Sequence, residues 1–311
     1  MNKTVYNEYL NSICKIPRFL NKYLEVPCLV RLKNIGYFCG MDYASKEVYD
    51  FREEITRFDH SLTVALLTWK FTHDKKATIA GLFHDVATPC FAHVIDYMNK
   101  DYANQESTEE YTEEIIKNDK ELKRCLRIDR ITYKDICDFK EYSIVDNKRP
   151  KLCADRYDGL ILTGYNWTKS IELNDILDFT NNLCLYTNED EVLELGFKDK
   201  DICNRVLKVS EEIDEICHSN EDNYMMELLA DITRITINDN IIEYKDLYYL
   251  TEEELFNKIK SNQNTSIHEL LDIFHNVKIS EIPDTIMIDV KRRDLNPLCG
   301  EGRIKNIYKE D

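Results

Sequence analysis

Ala80-Gly81-Leu82-Phe83-His84-Asp85 is an apolar run that ends on an imidazole and a carboxylate side by side. Lys76 to Phe83 reads as a mostly apolar helix delivering that pair. Upstream, Arg57-Phe58-Asp59-His60-Ser61-Leu62 sets His60 among Val48, Phe51, Ile55, Phe58, Leu62, Ala65, Leu66 and Trp69. These recur every three or four residues, a helical period, with Arg57 the place for a break. Downstream, Cys153-Ala154-Asp155-Arg156-Tyr157-Asp158 puts Asp155 on a helix entered after Pro150. A His or Asp among Leu, Phe, Ala and Val is costly to bury unless it is paired or liganded. His60, His84, Asp85 and Asp155 therefore form a mixed nitrogen and oxygen cage. Such a cage suits a catalytic divalent cation that keeps positions open for water and substrate.

Structural zinc would favour thiolates in a closed tetrahedron, so the donor set points to one ion of Mn, Mg, Fe, Zn or Ni. His73, His218, His268 and His275 are poorly placed for a second cage and read as ordinary histidines. The eleven cysteines are scattered singly from Cys14 to Cys299 with no CxxC pair, which predicts reduced thiols in a cytoplasmic protein.

The 311 residues suffice for one large domain or a core with an appendage. Hydrophobic residues make up 43% and charged residues 32%, a globular balance. Asp and Glu number 58 against 41 Lys and Arg, a net charge of −17. That excess argues against nucleic-acid binding, which rests on neutralising phosphates. The N-terminus lacks an apolar signal core, and no stretch is long enough to span a bilayer.

Only eight Gly and six Pro favour helices. Further helices are expected over Tyr6 to Leu24, Phe91 to Met98, Glu106 to Asp119, Ile171 to Leu185, Asp199 to Cys217 and Tyr224 to Ile235. Another runs from Leu250 to Lys260 behind a Thr251 cap, and shorter helical pieces fall between Leu122 and Tyr142. Thr285 to Lys291 alternates and is β-branched, which predicts a strand. Lys291-Arg292-Arg293 reads as a solvated charge run. The expected architecture is mostly α, with a small β element near the C-terminus. Asn188-Glu189-Asp190-Glu191 marks a boundary between a core of residues 1–187 and a helical C-terminal region of residues 188–311.

The order His60, His84-Asp85, Asp155 resembles the HD-domain metal-dependent phosphohydrolases. His84-Asp85-Val86-Ala87-Thr88-Pro89-Cys90-Phe91-Ala92-His93-Val94-Ile95-Asp96 is similar to the H-D-[IL]-G-H-x-P-F-S-H-x-F-D run of the deoxynucleoside triphosphate triphosphohydrolases. Arg57 to Leu62 resembles their R-F-E-H-S-L. Arg31-Leu32-Lys33-Asn34-Ile35 resembles R-L-[RK]-x-I, and Ala154 to Asp158 resembles V-D-K-x-D. The resemblance spans about residues 28 to 165.

It implies an HD helical core and an HD-type ligand set of His60, His84, Asp85 and Asp155. The implied reaction is attack of water on a metal-held phosphoryl group, releasing nucleoside and tripolyphosphate. His93 would be the proton donor, oriented by Asp96 one helical turn on. Arg57, Lys33 and Arg156 would take phosphate oxygens. Ala87-Thr88 stands where the family has Gly-His, and Gln105-Glu106 where it has His-Glu. Thr88 and Gln105 can hydrogen-bond a phosphate but cannot shuttle protons at neutral pH. Tyr37-Phe38 replaces a Gln-Leu pair near the sugar.

The expected function is thus hydrolysis of a deoxynucleoside triphosphate. An HD-type nucleotide phosphomonoesterase and a nucleotide-binding sensor with little turnover are the alternatives. The expected partner is a nucleotide substrate, and the resemblance leaves room for a homo-oligomer joined through the C-terminal half.

Overall fold

A computed structural model describes residues 3–103, 107–283, 288–300 and 302–307. The chain opens with α1 (Thr4–Ile13), whose Tyr6, Tyr9 and Ile13 are buried. The Tyr9 hydroxyl donates to Asp158 Oδ1 at 2.9 Å, which ties this helix to the centre. Turns replace the second half of the expected Tyr6 to Leu24 helix, and α2 (Pro27–Arg31) follows with proline at its first position.

The centre is α3 (Arg57–Thr72), which begins where the periodicity breaks. Thr56 accepts from the Asp59 amide at 3.3 Å, and Asp59 Oδ2 accepts from the Thr56 amide at 2.7 Å. That reciprocal cap ends the extended chain before Arg57 and starts the helix. Most of α3 from Arg57 to Thr68 is buried, as befits a helix packed on several sides. His73 in the left-handed region turns the chain into α4 (Lys75–Phe83), capped by Asp74.

Next come α5 (Val94–Asn99), α6 (Thr112–Asn118), α7 (Lys120–Asp129) and α8 (Lys134–Cys137). Of these, α5 starts later than the periodicity predicts, because Phe91 and Ala92 take positive φ values and keep the chain out of helix until Val94. Then α9 (Ala154–Asn166) crosses α3, and α10 (Leu173–Asn182) packs on α1.

Two strands follow, β1 (Leu183–Thr187) and β2 (Leu193–Phe197), paired antiparallel. The polar stretch Asn188 to Glu191 is their turn: Asn188 Oδ1 accepts from the amides of Asp190 and Val192 at 3.0 and 3.1 Å. After α11 (Lys200–Cys217), α12 (Asn220–Asn238), α13 (Glu252–Ser261) and α14 (Thr265–Asn276), the chain returns to the sheet. There β3 (Leu298–Cys299) pairs parallel to β2, and β4 (Gly302–Arg303) pairs antiparallel to β3. Gly196 is required at this junction, since a Cβ would stand 2.5 Å from the Leu298 carbonyl oxygen. Short α15 (Ile304–Ile307) ends the described chain.

The fold is therefore mostly helical with a small sheet near the C-terminus, as expected, and its strands are the four named above. Residues 288–291 form no strand, and the rest of the expected Thr285 to Lys291 strand falls largely outside the described residues. Their alternation serves an extended segment instead, with Val290 buried and Ile288 packed against the core. All eleven cysteines are free thiols. Among the described residues, no helix is long and apolar enough to cross a membrane.

Candidate metal centre

α3 and α9 cross, and the end of α4 meets them. Here His60 Nε2 lies 3.1 Å from Asp155 Oδ1 and 3.2 Å from His84 Nε2. Asp85 completes the group, with carboxylate oxygens 3.8 Å from both His60 Nε2 and His84 Nε2. His60, His84 and Asp155 place one ligand atom each within 4.8 Å of the others, and Asp146, Cys153 and Asp155 form a second such group. The structure thus brings together all four residues that the sequence nominated.

The far side of each ring tells what the near side must hold. His60 Nδ1 faces Asp158 Oδ2 at 2.7 Å, and His84 Nδ1 faces the Gly81 carbonyl at 2.7 Å. Both partners only accept, so each Nδ1 carries the proton. In the neutral rings both Nε2 atoms then point bare lone pairs at each other and at two carboxylates. Four acceptors aimed at one point repel unless a cation lies among them. The donor set fits a divalent metal, and Asp158 and the Gly81 carbonyl are the outer partners that fix ring tautomer and orientation.

The local field agrees. Burial pulls the His60 imidazole down, but hydrogen bonds to Asp155 and Asp158 outweigh it and push it up to about 10. Burial raises Asp85, yet His84, Arg57 and His60 together hold it down at about 2. Asp155 likewise sits well below the carboxylate range: its burial is overcome by the two histidines. A site that so favours positive charge holds a proton or a metal.

Arg57 is buried beside the cage and grips Asp85 Oδ2 through Nη1 at 3.1 Å. Its Nη2 donates to the Tyr37 carbonyl at 3.1 Å, its guanidinium lies over the Tyr37 ring, and its buried Nε has no partner. Tyr37 in turn tilts onto the His60 ring, with centroids 5.2 Å apart. Arg156 is spent on structure: Nη2 meets Asp146 at 2.7 Å and Nη1 bonds Asn147 and the Lys151 carbonyl. Lys33 stands outside, exposed over the Phe58 ring. Gln105 lies outside the described residues.

His93 Nδ1 meets Asp96 Oδ2 at 2.9 Å. Asp96 is wholly buried, and its other oxygen accepts from the Ser107 amide at 3.1 Å. The loop before His93 is held from below. Arg31 donates to the carbonyls of Thr88, Leu247 and Leu250 at 2.9 to 3.0 Å. Glu252, buried at the start of α13, accepts from the Phe91 amide at 3.2 Å. Phe91 packs so tightly on Gly40 that a Cβ there would lie 2.6 Å from the Phe91 ring.

A cavity of about 750 Å³ joins these parts. The cage residues, Arg57, Tyr37, Thr88 and His93 line one side, and α11, α12 and residues 290–295 line the other. Residues the sequence reading assigned no role include Asp158, Asp222, Arg149 and Arg293. Asp158 was findable, one helical turn after Asp155. Asp222 and Arg149 carry no local signal, and Arg293 sits in a basic run that reads as solvated, because only the folded chain brings them to the cavity.

Two imidazoles and two carboxylates delivered by crossed helices gather into a group that could hold a divalent metal ion. The HD domain family model matches residues 57–147, which contain His60, His84-Asp85, His93 and Asp96; Asp155 lies beyond the match. The chain is also 26% identical over 248 residues to the Uncharacterized protein YdhJ of Bacillus subtilis (strain 168), covering 77% of this chain and 71% of that one.

Proposed function

We propose that this protein is a metal-dependent phosphohydrolase whose substrate is a nucleotide, a deoxynucleoside triphosphate cut to nucleoside and tripolyphosphate. The observation that carries the reading is the convergence of two imidazole Nε2 atoms and two carboxylates at the wall of a cavity. A divalent cation bound there supplies Lewis acidity to a phosphoryl oxygen and lowers the pKa of water. Water oxygen forms a bond to the α-phosphorus, and the bond from that phosphorus to the nucleoside O5′ breaks. His93 delivers the proton that O5′ needs, held in line by the buried Asp96. Arg57 fixes Asp85 and, through its unpartnered Nε, keeps a donor at the site.

A panel of nucleoside mono-, di- and triphosphates, incubated with Mn-loaded protein, tests this. Tripolyphosphate should appear from at least one deoxynucleoside triphosphate, and Asp85→Ala and His93→Ala should lower the rate roughly 100-fold or more. Intact nucleotides throughout would overturn it. Orthophosphate as the sole product would favour the phosphomonoesterase. Thr88 supports a sensor as the second reading. It lines the cavity where the resembling family has histidine, so one proton-shuttling group is absent.

A further inference from the structure

Two arginines line the same cavity as the cage, and among the described residues neither is within ion-pair distance of a carboxylate. Arg149 precedes α9, and its guanidinium makes a long hydrogen bond, 3.4 Å from Nη1 to the Asp294 carbonyl. Arg293 comes from the extended segment after α14. That segment is fastened to α11: Asp214 Oδ1 accepts from the Arg293 amide at 2.7 Å, and His218 meets the Val290 carbonyl at 3.2 Å. Arg292 turns outward to Asp214, while Arg293 turns into the cavity, where the Cys217 thiol lies beside it and its buried Nε has no partner. The expected solvated run therefore splits.

In a chain with 58 acidic residues, a carboxylate is easy to supply. Arg57, Arg156 and Arg303 each hold one, whereas neither Arg149 nor Arg293 does. Burial, with Arg293 and Arg156 nearby, lowers Arg149 to about 10 against the pull of Asp155, while Cys217 beside Arg293 holds that group up. Two guanidinium groups in one cavity repel each other, and an anion that enters relieves that repulsion.

We infer that Arg149 and Arg293 form an anion subsite that takes the polyphosphate chain of the substrate, while one phosphoryl group sits at the cage. This deepens, and rests on, the reading of the site as a phosphohydrolase. It also makes the site composite, because Arg293 belongs to the C-terminal region and lies far beyond the HD-matched residues. The favoured ligand class is a nucleoside polyphosphate, whose chain offers further anionic groups beyond the one at the cage.

Calorimetric titration of the full-length, metal-free protein with inorganic tripolyphosphate and with orthophosphate tests it without relying on turnover. Tripolyphosphate should bind at least tenfold more tightly than orthophosphate. Arg149→Gln and Arg293→Gln should each weaken tripolyphosphate about tenfold and flatten its salt dependence. Arg149→Lys and Arg293→Lys, which keep the charge, should retain most of the binding and show that the fold survives. Tripolyphosphate affinity unchanged in both Gln variants would overturn the inference, even if the wild-type protein hydrolyses nucleotides. Binding lost in the variants but no nucleotide hydrolysed would support the subsite and sink the hydrolase reading.

Discussion

Asp158 sets the proton on His60, and so decides which nitrogen faces the cage. Asp158→Ala should lower metal affinity roughly 10- to 100-fold, because the ring loses its tautomer and its aim. Metal titration followed by calorimetry checks this, with far-UV circular dichroism unchanged. Affinity equal to wild type would mean that the ring is held by packing alone. The four cage residues were legible because each sits in an apolar run where an unliganded polar group is expensive. Lys33 was not well read: its sequence neighbours say nothing about the turn that leaves it outside on Phe58.

Among the elements, the loop before His93 shows how distant chain shapes the site. Glu252 holds the Phe91 amide and lies near Asp42, whose Oδ2 is buried without a partner. Burial pushes Glu252 up to about 7, with Asp42 adding, while hydrogen bonds from Gly36 and Phe91 oppose. Burial likewise lifts Asp42 to about 6. Folded pKa values above the unfolded ones mean that the folded state holds extra protons between about pH 4 and pH 7. The stability they lend is full below the unfolded values and is lost as pH rises through the folded ones. Wild type should therefore lose about 3 kcal/mol relative to Glu252→Gln between pH 4 and pH 8, measured by urea unfolding. A pH-independent difference would contradict the shared burial of the two carboxyls. Periodicity found α3, α4, α9, α11 and α12. It missed β1, because Leu183 to Leu185 continue the apolar pattern of α10 and only the hairpin partner distinguishes strand from helix.

At the scale of the whole molecule, the C-terminal strands fasten the end of the chain to the β1–β2 hairpin. Arg303 on β4 meets Glu189 at 2.7 Å and the fully buried Glu194 at 2.9 Å. Arg303→Ala leaves that carboxylate only the Leu152 amide and the Asn188 side chain, and should cost about 3 kcal/mol in chemical unfolding. A loss under about 0.5 kcal/mol would show that the tail packs without the pair. This closure was not legible in the sequence. β3 and β4 are two residues each, too short for any pattern, and their register comes from β2. The same reasoning explains why the cage could be read and the composite cavity could not. The cage lies in three motifs, whereas the cavity depends on pairings between residues about 150 apart.

The central claim is that the acceptor cage holds a divalent cation that drives phosphoryl hydrolysis. Its most direct measurement is metal content and nucleotide product on the same preparations of wild type and Asp155→Ala. The wild type should retain about one divalent ion per chain and release tripolyphosphate from a deoxynucleoside triphosphate, and Asp155→Ala should lose both together. Full metal content and undiminished turnover in Asp155→Ala would contradict the account.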